Sequence, residues 1–250
     1  MNKNELLNIA DSVGQRVGWD FSQMRDAREP MPWDYMDVVL RYLKPGDRVL
    51  DVGTGGGERL LRFAPCFASG IGIDISEQMI EDAQQNLATS SIENVAFEVM
   101  SATDLAFEPE SFDVLLNRHS VVDVAETLRV LKPGGYLINQ EVGARNAENI
   151  THLFGCGPGG QYGTGPNQAT PALAEAFRAQ GCRVVCLAEY NVRYWFLDNE
   201  SLVFWLQAIP MPEDFDMETH WEQVNAIIEK YQTPQGIETN EQRFLLIVQK

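Results

Sequence analysis

One stretch, VLDVGTGGG from Val49 to Gly57, does most to limit what this chain can become. Arg48 to Val52 is rich in Val and Leu, the pattern of a strand covered on both faces, as in a parallel sheet. Gly53, Gly55, Gly56 and Gly57 then crowd into five residues, and glycine both takes positive φ without a steric cost and lets a ligand lie against the backbone. The segment after them has helical spacing through Leu60, Leu61 and Ala64. A buried strand, a glycine turn and a helix N-terminus in series form a nucleotide-type cofactor site. Spacing narrows the ligand. The dinucleotide fingerprint requires glycine at its first, third and sixth positions, and here those positions are Gly53, Gly55 and Glu58. A phosphate loop ending in Gly-Lys-Ser/Thr is absent. An acid at the start of the helix argues against a polyphosphate and permits a ligand that carries positive charge.

With Asp51 just before the first glycine, this segment resembles motif I of the class I S-adenosylmethionine (SAM)-dependent methyltransferases. SAM carries a sulfonium, an ammonium and one carboxylate. Four further segments are similar to the family in order and spacing. GIGIDIS, Gly70 to Ser76, resembles its second strand, with Asp74 where the ribose-binding acid lies and Ile75 beside it. A carboxylate at a strand end can accept from both ribose hydroxyls. SATDLAF, Ser101 to Phe107, resembles the adenine segment, in which Asp104 would accept from the amino group and the Ala102–Thr103 backbone would face the ring. FDVLLNRHS, Phe112 to Ser120, resembles the fourth strand, and LRVLKPGGYLI, Leu128 to Ile138, the helix–turn–strand unit before the fifth. The resemblance covers Arg48 to Val142 and is nearest to small-molecule methyltransferases of the ubiquinone/menaquinone-biosynthesis type. It implies a cofactor set of Asp51, Gly53, Thr54, Gly55, Gly57, Asp74, Ile75, Met79, Ala102, Thr103, Asp104, Asn117 and Arg118, the last two through backbone contact with the methionine moiety. Three of the acids also fit a local role: Asp51 as a turn cap, Asp74 as a cap beside Ser76 and Asp104 as an ordinary turn acid. Met79 fits core packing as well as the adenosine.

Composition agrees with one α/β enzyme domain over residues 1–250, and the chain is long enough to bury a substantial core. No apolar run approaches the ~18–20 residues that span a bilayer, and MNKNELLNIADSV is broken by charge, so a cytoplasmic protein is expected. Cys66, Cys156, Cys182 and Cys186 are expected to be free thiols. Three scattered histidines and this cysteine spacing predict no zinc site. Acids outnumber bases by 36 to 19 for a net charge of −17, which disfavours a nucleic-acid partner. The partner expected is a small-molecule acceptor, for a chain acting as monomer or homodimer.

Along the chain, residues 1–47 predict a mostly helical cap with a polar and aromatic loop through Trp19, Phe21 and Trp33. The last helix there runs from about Trp33 to Tyr42, with Met36, Val39, Leu40 and Leu43 inward. Residues 48–142 predict five strands with crossover helices, one of them carrying Met79, Ala83 and Leu87 as its apolar stripe. Right-handed crossovers give a parallel sheet with helices on both faces. The fold expected is a Rossmann-like three-layer sandwich with a seven-stranded, mostly parallel sheet. The resemblance implies that the last strand, Gln242 to Lys250, is antiparallel. The Gly-rich region 143–169 is open to two readings, a mobile substrate loop or a long surface connection. Thr170 is an N-cap candidate before Pro171, and Cys182 to Phe196 predicts a long strand. Residues 198–233 predict a helical insertion, Glu200 to Ile209 stopped by Pro210 and Pro212, then Glu218 to Tyr231. Trp195, Phe204 and Trp205 fit either an aromatic pocket wall or core.

A methyl group on a sulfonium is already activated, so such an enzyme chiefly aligns the acceptor and excludes water. Two groups are candidates to take the acceptor's proton: His119, just past the fourth strand, and Glu141, at the end of the fifth. His119 also fits a loop residue that holds backbone groups. A nicotinamide-dependent oxidoreductase and a non-catalytic SAM-binding protein are the other readings; the glycine spacing argues against the first and the full motif set against the second.

Overall fold

The computed structural model describes residues 1–14, 21–159, 170–209 and 212–250. Trp19, the 160–169 part of the Gly-rich region and Pro210 lie outside the described residues. Sheet order among the described strands is β1-β7-β8-β6-β5-β2-β3-β4, and contacts divide the chain into two compact units.

The larger unit takes in Trp33–Val142, Ala169–Glu189 and Phe244–Lys250. Its strands β2 (Arg48–Val52), β3 (Ser69–Asp74), β4 (Val95–Val99), β5 (Phe112–Arg118) and β6 (Leu131–Val142) are the five expected. They pair in parallel, with Leu50 opposite Ile71 and Leu115, Ile71 opposite Ala96, and Asn117 opposite Asn139. β8 (Ile237–Gln249) flanks β6. The Gly134 amide donates to Lys250 O, and the Gly143 amide to Gln242 O. Partners that descend as β6 ascends mark an antiparallel pair. The strand expected from Gln242 starts five residues earlier, at Ile237.

Period-two alternation sends side chains to two apolar layers. Val49, Val114, Leu116 and Ile138 pack with Leu60 and Phe63 of α3 (Glu58–Phe63) and with Ile80 and Ala83 of α4 (Glu77–Ala88). Leu50, Val52, Leu115 and Leu137 pack on the other face with Val130 of α5 (Val124–Val130) and with Ala174 and Phe177 of α7 (Thr170–Ala179). Each Val, Leu, Ile or Phe among them, fully buried, contributes about 1.5–3 kcal/mol. Caps set helix phase. The Asp34 carboxylate accepts from the Met36 and Asp37 amides, so α2 is only Tyr35–Leu40; it buries Tyr35, Val38 and Val39 and leaves Leu40 exposed, against expectation. The Ser76 hydroxyl caps α4, whose buried pair is Ile80 and Ala83 while Met79 is half-buried. Thr170 is the first residue of α7 and not a residue before it.

The smaller unit takes in Met1–Pro32, Gly143–Gln168 and Tyr190–Arg243. It holds α1 (Lys3–Val13), β1 (Asp26–Arg28), α6 (Glu148–Thr151), α8 (Asn199–Ala208) and α9 (Met217–Tyr231). β7 (Arg183–Phe196) belongs to this unit from Tyr190 onward. β1 is an eighth strand that the sequence did not announce; it pairs antiparallel with β7, Asp26 opposite Phe196. α6 lies within the region expected to be Gly-rich loop. Trp195, Phe204 and Trp205 are all buried, and Trp205 shares a core cluster with Leu6, Phe154 and Ile227, so all three are core residues here. α8 buries Ser201 to Leu206 without a break, too much for one stripe.

Gly57, at φ +77°, caps α3, and an added Cβ there would overlap the Phe97 ring. Gly134, at φ +81°, has nothing within 4 Å of such a Cβ. Gly57→Ala is therefore expected to cost about 2–4 kcal/mol of unfolding free energy, and Gly134→Ala about 1 kcal/mol, in urea titrations.

Candidate functional site

The carboxyl edge of the sheet in the larger unit gathers most of the residues singled out above. The turn after β2 is tied to β3 through its backbone. The Gly53 and Thr54 amides both donate to Ile73 O at 2.9 Å, and the Gly55 amide donates to Asp74 Oδ2 at 3.1 Å. Gly53, Gly55 and Gly57 all have positive φ, which keeps the turn folded on itself. Asp51 is buried under it and accepts from Thr54 Oγ1 at 2.7 Å. Burial pushes the Asp51 carboxyl up to about 6 despite that bond and the nearby charges of Arg59 and Arg118. Asp74, at the end of β3, also accepts from the Ser76 amide through Oδ1 at 3.0 Å, while the cap of α4 itself is Ser76. Its carboxylate keeps further acceptor capacity and is half-buried. Ile75 next to it is 78% exposed, a solvent-facing apolar surface beside an acid.

Ser101 and Asp104 close a small turn by a backbone bridge, with Thr103 and Asp104 exposed and Ala102 partly buried. At the end of β5, Asn117 is buried and satisfied locally: its amide donates to Val121 O at 2.9 Å and accepts from the Ser120 amide at 3.2 Å. Those bonds bring Ser120 over the glycine turn, where its side chain fills the space a Cβ on Gly53 would need. Arg118 is half-buried. His119 holds a left-handed φ of +64°, uncommon for a residue with a side chain, and its amide donates to Gln140 O.

β6 ends in the polar run Asn139-Gln140-Glu141. Gln140 accepts from Trp33 Nε1 at 3.1 Å, and the Tyr35 hydroxyl lies 3.3 Å from Asn117 O and 3.4 Å from Ile138 O. Burial, with Asp51 next in effect, raises the Tyr35 phenol above its usual range, so it stays a donor. Glu141 is 4% exposed, and burial pushes its carboxyl up to about 8, with Arg118 pulling weakly the other way. Met79 is half-buried in the first turn of α4, where its amide donates to the Ser76 hydroxyl. Sequence reasoning passed over Tyr35, Arg59, Ser120, Asn139 and Gln140. Three consecutive polar residues closing an otherwise apolar strand were the available signal for the last two.

Chemically, the edge offers acids around a glycine turn, an exposed aliphatic next to one of them, and a poised carboxyl at the end of β6. Among the described residues, no helix is long and apolar enough to cross a membrane. No group of three His, Cys, Asp or Glu side chains among them is placed to hold a metal.

Residues 43–169 match the methyltransferase domain family. The ubiquinone biosynthesis O-methyltransferase of Neisseria meningitidis serogroup C is 34% identical over 164 residues, 60% of this chain and 65% of that protein. The uncharacterized methyltransferase YcgJ of Bacillus subtilis is 38% identical over 95 residues, 35% of this chain and 38% of that protein. The chain thus spans less than two thirds of these relatives. Among solved structures, YcgJ superposes with a TM-score of 0.63 at 19% identity, covering 86% of this chain and 97% of that one. The [4+2]-cyclase SpnF superposes at 0.58 and 21%, covering 99% and 92%. At such identities the likeness is one of fold.

Glu141 supplies a test of the edge's electrostatics. Its folded value lies above the unfolded one, so it favours folding below about pH 4.5 and loses that contribution as pH rises towards 8. Glu141→Gln should flatten the fall in stability over that window by up to roughly 1.4 kcal/mol per pH unit. Urea midpoints of both proteins across the window would measure it. Parallel curves would mean the carboxyl is not desolvated.

Proposed function

The chain belongs to the methyltransferase domain family, and on that premise we propose that it transfers a methyl group from SAM to a small-molecule acceptor. The observation that carries the reading is the glycine turn with Asp74 beyond it. Three left-handed glycines fold the turn tightly on itself, and the Asp74 carboxylate, held by the Gly55 and Ser76 amides, is set beside it. The acids around the turn, Asp51, Glu58 and Asp74, suit a cofactor that carries cationic groups and no polyphosphate.

In this reading Asp74 holds the ribose hydroxyls, with Ile75 and Met79 beside the adenosine. Asp104 and the Ala102–Thr103 backbone hold the adenine. Gly53, Thr54, Gly55, Gly57, Asp51 and the backbone of Asn117 and Arg118 hold the amino-acid end. The chemistry bound SAM supplies is an activated methyl on sulfur, moved by in-line displacement. The chain's own work is to position the acceptor, keep water out and, for a protonated acceptor, take its proton. His119 and Glu141 are the groups proposed for that proton. A carboxyl pushed up to about 8 is a stronger base, once ionised, than an ordinary glutamate. The protein is proposed to be cytoplasmic, to act as one domain over 1–250, and to work on a small molecule and not nucleic acid, as monomer or homodimer.

Isothermal titration tests the cofactor. SAM and S-adenosylhomocysteine should bind, NADH should not, and Asp74→Ala should weaken both adenosyl ligands at least about tenfold, the equivalent of losing one or two hydrogen bonds to a charged group. A folded protein that ignores SAM would end the proposal. With an acceptor in hand, His119→Asn or Glu141→Gln should lower kcat about 100-fold for whichever group takes the proton, read as S-adenosylhomocysteine formed.

A further inference from the structure

The buried polar atoms of the larger unit are mostly paired, as in other folded proteins. The exceptions gather. Asn139 is 0% exposed, and neither its Oδ1 nor its Nδ2 has a partner among the described residues. The same holds for Glu141 Oε2 and for Thr170 Oγ1. Asn117, directly across the ladder from Asn139, is fully occupied by Val121 and Ser120, so a lack of partners is not a general property of this edge.

These orphans share one place. Asn139 and Glu141 follow Leu137 at steps of two, so all three face the same side of β6. Leu137 packs in the layer that contains Ala174 and Phe177 of α7. Thr170, Ala174 and Phe177 are spaced four and three apart and are all buried, so they lie along one side of that helix. The far end of α7 lies near the start of β6. Cys182 just beyond it senses the charge of Lys250, and Lys250 bonds to Gly134 and Gly135. Its first residue, Thr170, is therefore at the carboxyl edge. One helical turn from Ala174 to Thr170 rises about 6 Å, and two strand residues from Leu137 to Asn139 about 6.6 Å. Asn139 and Thr170 thus stand at one level between β6 and α7, and Glu141 follows about 6.6 Å further along the strand.

We propose that Asn139, Thr170 and Glu141 form the acceptor subsite, and that it takes an uncharged planar group with a hydrogen-bond donor beside an acceptor, such as a carboxamide, a lactam or a hydroxyl next to a carbonyl. The inference rests on the methyltransferase reading for the reaction that happens beside it. A primary amide presents one acceptor and two donors, and its complement is a group with the same pair reversed. The threonine hydroxyl gives and accepts. Swapping the O and N of Asn139 leaves the argument unchanged, since both atoms lack partners. None of the three side chains is cationic, and an anion would meet the Glu141 carboxyl. Arg118, whose charge Glu141 feels, sits on the register opposite Gln140.

The probes are benzamide and benzoate, which match in shape and differ in charge, titrated by ligand-observed NMR into protein loaded with S-adenosylhomocysteine. The variants are Asn139→Leu and Thr170→Val, near-isosteric and apolar. Benzamide should bind, and benzoate should bind at least tenfold more weakly. Each variant should weaken benzamide at least tenfold while leaving S-adenosylhomocysteine affinity unchanged and Tm equal or higher, because a buried group without partners is removed. A site that ignores benzamide, or takes benzoate equally well, overturns the proposal. So does a fall in Tm for Asn139→Leu, the mark of a structural hydrogen bond. If S-adenosylhomocysteine itself does not bind, the methyltransferase reading fails, and the same titration on cofactor-free protein judges the subsite alone.

Discussion

Three backbone amides fasten the turn after β2 to the end of β3: Gly53 and Thr54 to Ile73 O, and Gly55 to Asp74. Much of the edge depends on this fastening. It ends β2 at the level where β3 ends, and it turns the Asp74 carboxylate inward. It also starts α3 close enough to the sheet for Leu60 and Phe63 to enter the core. The bonds need left-handed φ at alternate positions, which explains why a segment that begins with large aliphatics becomes glycine within a few residues. Side chains from elsewhere then complete the wall, Phe97 against Gly57 and Ser120 against Gly53. Conformation at the turn and packing around it are thus one constraint.

A second theme is the cost of taking carboxyl groups out of water. Asp51 and Glu141 are both raised by burial, and among the described residues neither has a close ion pair. Asp51 is partly relieved by Thr54. Elsewhere the chain buries an acid with company: Glu241 in the smaller unit has Arg28 at 2.8 Å and the Tyr190 hydroxyl donating at 2.7 Å. The contrast separates an acid that helps hold a fold from acids whose compensation is incomplete. Incomplete compensation at the end of parallel strands is where binding and catalysis are expected.

Much of this was legible in the sequence. The five strands from Arg48 to Val142 announce themselves through apolar runs, and the glycine turn through its composition. Asp74 and Ser76 show why a residue's role can be doubly readable: a carboxylate that closes a strand also holds the chain beyond it, and here it does bond the Ser76 amide. The features that stayed hidden have physical causes. α2 was misphased because a cap acts locally, and Asp34 outweighs a four-residue apolar spacing that runs past it. β1 is three residues long and rests on pairing with a distant strand, so no periodicity marks it. Tyr35, Arg59 and Ser120 reach the edge through side-chain direction, which no spacing rule records. Trp195, Phe204 and Trp205 were ambiguous because aromatic side chains line pockets and fill cores alike, and only their neighbours decide.

β6 divides two environments by parity alone. Ile138 and Gln140 look toward the layer with Tyr35 and Trp33, while Leu137 and Asn139 look the other way. A single inserted or deleted residue between Gly135 and Asn139 would exchange the two sets at once. It would strip Trp33 of its acceptor and turn the polar pair into the aliphatic layer. Descent with change along this strand is therefore restricted to replacement in place, so its length should be fixed among relatives even where its letters differ.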